Sequence, residues 1–250
     1  MTTDLPGSRF ARSFGAEAVR YAQVRPTYPV ESIDFVLANH QQPEQILDLG
    51  AGTGKLTQLL VGRAEEVIAV EPDASMREQL AAHVPAATAL AGSAERIPLP
   101  DASVDAVLVG QAFHWFARPA ADRELARVLR PGGVLGLIWN FSDRSAAWVS
   151  GLYEAMRDPD PPTSNSAAEN LDPSLFGELA EHWTHWTYEL AGADALRDLM
   201  HTWSWVITRP AGEQAAIDRR LRLLVERHAE LQGPVIRFPH RTKTVRQYRR

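Results

Sequence analysis

Asp48-Leu49-Gly50-Ala51-Gly52-Thr53-Gly54-Lys55 sets an acid and three glycines around the end of the apolar run Gln45–Leu49, and glycines so spaced let bare backbone approach a ligand. A phosphate-binding loop would need glycine where Leu49 stands and serine or threonine where Leu56 stands, so that chemistry fails on two counts. A dinucleotide fingerprint would need its third glycine at Lys55, but it comes one place early, at Gly54. What remains is a tight strand-to-helix turn that admits a ligand beside Asp48. Glu71 directly follows the next apolar run, where an acid can accept both hydrogen bonds of a ribose diol, and this marks a nucleoside. Met76 opens the following helix and could lay a flexible thioether on a base, although it suits ordinary core equally.

Further candidates lie on either side of this pair. Gln111-Ala-Phe-His114-Trp115-Phe116 follows a later apolar run. The His114 imidazole titrates near neutral pH and is the best candidate for a general base, with packing as the competing role. Trp115 and Phe116 offer an apolar wall or plain core. Ahead of the glycines, Tyr21 and Arg25-Pro26-Thr27-Tyr28-Pro29 could bring a guanidinium fork to a carboxylate, with either tyrosine assisting. His182-x-x-His185 has helical metal-ligand spacing, but it lies in a strand-like segment and no third ligand is placed, so no metal is expected.

These residues need a scaffold, and the first 140 or so positions provide one by alternation. Residues 45–49, 67–70, 88–91, 104–109 and 134–139 are short apolar runs that suit strands covered on both faces. Residues 55–64, 74–83 and 119–129 lie between them and are long enough for crossover helices. The rhythm predicts an open, doubly wound, mostly parallel α/β sheet. Residues 8–22 have helical spacing that the prolines at 26 and 29 end. Residues 157–174 read as a long loop of the kind that serves as a lid or binding segment. A strand near 183–190, helical patterns at 193–207 and 213–231, and a strand-like stretch from 235 complete the chain.

Composition narrows the classes. With 250 residues, 45% of them hydrophobic, the chain can build one large core with additions. No apolar run suits a membrane span or a signal peptide, and the natural expectation is a cytoplasmic protein. The absence of cysteine removes disulfides, thiolate metal sites and cysteine nucleophiles. A net charge of −5 argues against a generally basic nucleic-acid binder. Six Lys or Arg residues from 231 to 250 could touch RNA, but a solvated edge strand guarded by charge is the commoner use.

Taken together, Asp48-Leu-Gly50-Ala-Gly52-Thr-Gly54, Glu71-Pro72-Asp73 with Met76, residues 92–99 (GSAERIPL) and Arg130-Pro131-Gly132-Gly133 resemble class I S-adenosylmethionine-dependent methyltransferases of the type 11 group. The segments with Tyr21, Arg25 and Tyr28, and with Gln111, His114 and Trp115, further resemble a bacterial small-molecule subset. The resemblance implies a Rossmann-like, seven-stranded sheet with an antiparallel last strand, a helical N-terminal lid over residues 1–30, a cofactor-binding core over 31–145 and a substrate side over 146–250, all in one domain.

It also implies S-adenosyl-L-methionine as cofactor and S-adenosyl-L-homocysteine as product. Asp48, Gly50, Ala51 and Gly52 would border the methionine part and Glu71 the ribose. Met76, Ala94 and Glu95 would face adenine, and Gln111 the methionyl ammonium. Tyr21 and Arg25 would close over the cofactor, and Tyr28, His114 and Trp115 would meet the substrate. The partner expected is a small molecule, with nucleic acid ranked below it, no membrane, and a monomer or homodimer. An RNA or protein methyltransferase and a non-catalytic cofactor-binding module are the alternatives.

Overall fold

In the computed structural model, which describes residues 24–40, 42–157 and 171–250, strand follows helix through the first half of the chain. Helix α1 (Val30–Leu37) leads into β1 (Gln45–Leu49), the short α2 (Thr57–Leu60), β2 (Glu66–Val70), α3 (Ala74–His83), β3 (Thr88–Leu90) and β4 (Val104–Gly110). A 3₁₀ turn (Phe113–Trp115) and α4 (Ala120–Val128) precede β5 (Leu129–Ser142) and α5 (Ala147–Met156). Strand β6 (Ala180–Leu190), helices α6 (Gly192–Met200), α7 (Ser204–Ile207) and α8 (Ala211–Arg227), and strand β7 (Ile236–Tyr248) follow.

The seven strands order as β3-β2-β1-β4-β5-β7-β6. Strands β1 to β5 pair in parallel, and β7 runs antiparallel between β5 and β6. Side chains that alternate along each strand explain the unbroken apolar runs. Leu47, Val70, Val107 and Leu137 pack toward Leu125 of α4, while Ile46, Val67, Leu108 and Ile138 pack toward Ile33 and Val36 of α1. A third cluster joins Trp148 and Leu152 of α5, Leu196 and Met200 of α6, and Ile217 and Leu221 of α8 to Ile236 and Phe238 of β7.

Four expectations change. The helix expected over 55–64 shrinks to α2, because residues before it are in turns and Gly62, at φ 82°, leaves the right-handed helix. The pattern at 193–207 breaks into α6 and α7 around residues 201–203. The strand expected over 134–139 runs from Leu129 to Ser142, since β7 pairs with it from Val134 onward.

The basic tail is no edge strand. It forms β7, inside the sheet, where its cations find partners. Lys243 is 5% exposed and meets Glu181 at 2.9 Å. Arg246 donates to the Phe35 carbonyl at 2.7 Å and lies 4.5 Å above the Phe35 ring. Among the described residues, no helix is long and apolar enough to cross a membrane.

Candidate active site

The carboxyl ends of parallel strands are where open α/β sheets bind ligands, and the polar residues that close the apolar runs collect there. A cleft of about 510 Å³, open to solvent, is lined by Asp48, Gly50, Ala51 and Gly52 beyond β1, by Gly110 and Gln111 at the end of β4, and by Asn140 near the end of β5. Arg25, Pro26 and Tyr28 line it from the other side, with Thr53, Lys55 and Leu56 below.

The glycine turn is held against β2, with Gly50 and Ala51 donating to the Val70 carbonyl at 2.8 and 3.2 Å. Gly50 has φ 72°, and a Cβ on it would lie 2.7 Å from that of Ala112. Gly52 has φ 57° but an open environment, with only the Met76 sulfur near, at 3.9 Å. The first glycine therefore serves close packing, and the second leaves bare backbone in the wall of the cleft.

Glu71, 7% exposed, braces that turn. One of its oxygens accepts from the Gly52 N–H at 2.9 Å and the other from the Asp73 N–H at 2.9 Å. Each oxygen keeps acceptor capacity for a hydroxyl, so the pair can still take a diol. Burial raises the Glu71 pKa, and the two N–H donors pull it back. Asp73 caps α3 by accepting from the Met76 N–H at 3.0 Å, which sets the thioether beside Gly52.

Asp48 is fully buried. Thr57 donates to its Oδ2 at 2.6 Å, while Oδ1 has no partner. Burial pushes its pKa up to about 7, against the pull of the Thr57 hydroxyl. An orphaned acceptor in the wall of a cleft is a place for a ligand's N–H or cation. The Thr53 hydroxyl oxygen nearby is likewise buried and unpartnered.

Residues 24–29 cross the cleft and are tied at four points, one of them the Thr27 hydroxyl donating to the Lys55 carbonyl at 3.5 Å. Tyr188 donates to the Val24 carbonyl at 3.0 Å, Arg25 to the Thr202 carbonyl at 2.9 Å, and Asn140 Nδ2 to the Thr27 carbonyl at 2.9 Å. Asn140 Oδ1 accepts from Thr242 at 2.6 Å, and the Thr242 hydroxyl accepts from the Trp186 indole at 2.8 Å. The relay spans adjacent strands, since Asn140 pairs with Thr242 and Thr242 with Thr184. Gln111, at φ 58°, donates its amide to the Asn140 carbonyl at 2.9 Å. Tyr28 lies against Gly110, its hydroxyl 2.6 Å from where a Cβ would be.

Seven expected cofactor or substrate residues thus meet in one cleft: Arg25, Tyr28, Asp48, Gly50, Ala51, Gly52 and Gln111. Glu71 and Met76 join it through Gly52. Ala94 is buried with Val70, and Glu95 accepts from the Ala117 N–H at 2.7 Å, tying its loop to the one after β4. His114 and Trp115 do not line the cleft. Their rings meet at 4.6 Å, and desolvation lowers the His114 pKa although its side chain stays exposed. Tyr21, residues 1–23 of the expected lid and 158–170 of the expected loop lie outside the described residues.

Sequence reasoning missed Lys55, Gly110 and Asn140. Asn140 carried a signal, a polar side chain closing an apolar run as Asp48 and Glu71 do, whereas Gly110 matters only because Tyr28 arrives from far along the chain. His182 stacks on Phe35 at 5.2 Å and His185 stands 3.7 Å from Asp143. Among the described residues, no cluster of three or more His, Asp or Glu could hold a metal ion.

A methyltransferase-domain family, type 11, matches residues 47–137. An uncharacterized methyltransferase of Mycobacterium tuberculosis is 44% identical over 220 residues, 88% of this chain and 88% of its own. An uncharacterized methyltransferase-like protein of Schizosaccharomyces pombe is 34% identical over 217 residues, 84% of each. A solved structure from Anaeromyxobacter dehalogenans, named for a type II methyltransferase, superposes with a TM-score of 0.66 at 27% identity, covering 90% of this chain and 97% of that one.

Proposed function

Given that the chain belongs to the class I S-adenosylmethionine-dependent methyltransferases of the type 11 group, we propose that it methylates a small-molecule metabolite as a single domain. The observation that carries the reading is the cleft itself. An orphaned Asp48 oxygen and a bare Gly52 backbone line one cleft, with the diol-ready Glu71 bonded to Gly52 behind it, and together they fit the amino, methionyl and ribose parts of that cofactor.

Asp48 and Gln111 would hold the amino end, Arg25 the carboxylate, Glu71 the ribose, and Met76, Ala94 and Glu95 the adenine side, with Tyr28 toward the substrate. When bound, S-adenosylmethionine supplies an activated methyl group on a sulfonium. The chain's own task is then to align a nucleophile and keep water out. Residues 24–29, tied to β5, β6 and the turn after α6, serve the second end. Residues 31–145 bind the cofactor, and 146–250 form the acceptor side with His114 and Trp115 at its border. Catalysis rests on placement rather than on His114 as base, because His114 does not line the cleft.

The RNA or protein alternative loses part of its support, since Lys243 and Arg246 of the tail are engaged inside the sheet. Calorimetry with S-adenosylmethionine tests the cofactor site. Glu71→Ala should weaken binding about 100-fold, the loss of two hydrogen bonds to a charged group. Affinity within a factor of about two of wild type would sink the assignment.

A further inference from the structure

Two cations line the cleft, and they are held differently. Arg25 is fixed by the Thr202 carbonyl, and its planar fork suits the one carboxylate that the cofactor carries. Lys55 is half-buried beside Gly54, and among the described residues its ammonium has no hydrogen-bond or ion-pair partner. Burial lowers its pKa, which is the sign of a charge held without compensation. Such a charge is stabilised when an anion arrives.

The described lining of the cleft is also poor in bases. Among the described residues, its titratable members are Arg25, Tyr28, Asp48 and Lys55, and the Asp48 carboxyl is fully buried and bound by Thr57. An alcohol, phenol or ammonium acceptor would have to shed a proton during attack, and among the described lining residues the one acid, Asp48, is bound by Thr57 and assigned above to the cofactor's amino end. A carboxylate is already a nucleophile at neutral pH and has no proton to shed.

We propose that the acceptor is a carboxylic acid, anchored by Lys55 and methylated on its carboxylate oxygen. This rests on the methyltransferase reading above. The carboxylate oxygen forms the new bond to the methyl carbon as the carbon–sulfur bond breaks, and that electron pair stays on sulfur. An anion and a sulfonium become a neutral ester and a neutral thioether, and no proton is transferred. The cancellation of charge favours reaction in a dry cleft, and the ester no longer attracts Lys55, which aids its release.

Two measurements test this. The protein is first given methyl-labelled S-adenosylmethionine and the protein-free fraction of a cell extract, and the product is treated with mild alkali. Label released as methanol supports an ester. Alkali-stable label overturns the proposal while leaving a methyltransferase in place.

Calorimetry then follows short mono- and dicarboxylic acids, with their amides as controls, binding to protein saturated with S-adenosylhomocysteine. Acids should bind and amides should not. Lys55→Gln should weaken the acids about tenfold or more, change S-adenosylhomocysteine affinity less than about twofold, and be partly rescued by Lys55→Arg. Equal weakening of S-adenosylhomocysteine would assign Lys55 to the cofactor instead. Failure of the wild type to bind S-adenosylhomocysteine, or label in no product at all, would break the underlying reading rather than the acid anchor alone.

Discussion

Asp48 concentrates the site's electrostatics in one side chain. Its folded pKa of about 7 stands above the ordinary 3.8, so between those values the native chain keeps a proton that the unfolded chain has lost. The stability it contributes is therefore whole below about pH 4 and is lost as pH rises through 7. The stability difference between wild type and Asp48→Asn, followed by thermal unfolding, should fall across that window. A cationic ligand beside Oδ1 favours the ionised form, so cofactor binding near pH 6.5 should release protons. Calorimetry in buffers of different ionisation enthalpy would register this release, and Asp48→Asn should abolish it.

At the scale of elements, the turn after β1 and the segment before α1 do the positioning. Gly50→Ala meets both a left-handed φ and the Ala112 methyl, which together cost about 2–5 kcal/mol of stability. Gly52→Ala meets the φ alone, about 1–2 kcal/mol, yet puts a methyl where the backbone faces the cleft. Denaturant titration should rank Gly50→Ala as the less stable variant, while calorimetry should find Gly52→Ala folded and impaired in cofactor binding.

Asn140 links the sheet to residues 24–29 through one donor and one acceptor. Asn140→Ala should weaken cofactor binding several-fold and raise amide hydrogen exchange in residues 24–29, with exchange in the β1–β4 core unchanged. Protection in that segment equal to wild type would remove Asn140 from this role.

At the scale of the molecule, β7 joins two bodies of core. Its first residues, Ile236 and Phe238, belong to the cluster under α5, α6 and α8, and Val245 belongs to the cluster under α4. Arg246 then ties the strand to α1. Arg246→Ala should lower stability by about 1–3 kcal/mol, since it removes a charged hydrogen bond and a stacked contact. Thermal unfolding would show it; an unchanged midpoint would return the tail to a surface role.

By itself the sequence determined the parallel half of the sheet, because fully covered strands must read as unbroken apolar runs and their closing polar residues mark the ligand edge. It also determined that Asp48, the glycines and Glu71 gather at that edge, since these lie within a few residues of their strand ends and depend on local backbone. Only the tertiary structure decided the rest. Whether the basic stretch at 237–250 is edge or interior turns on which strands flank it, and charge pattern alone cannot say. Whether His114 or Lys55 faces the cleft turns on the paths of two separate turns, one after β4 and one after β1. The meeting of Thr27, Asn140, Thr242 and Trp186 joins residues far apart in the chain, and no local periodicity encodes it.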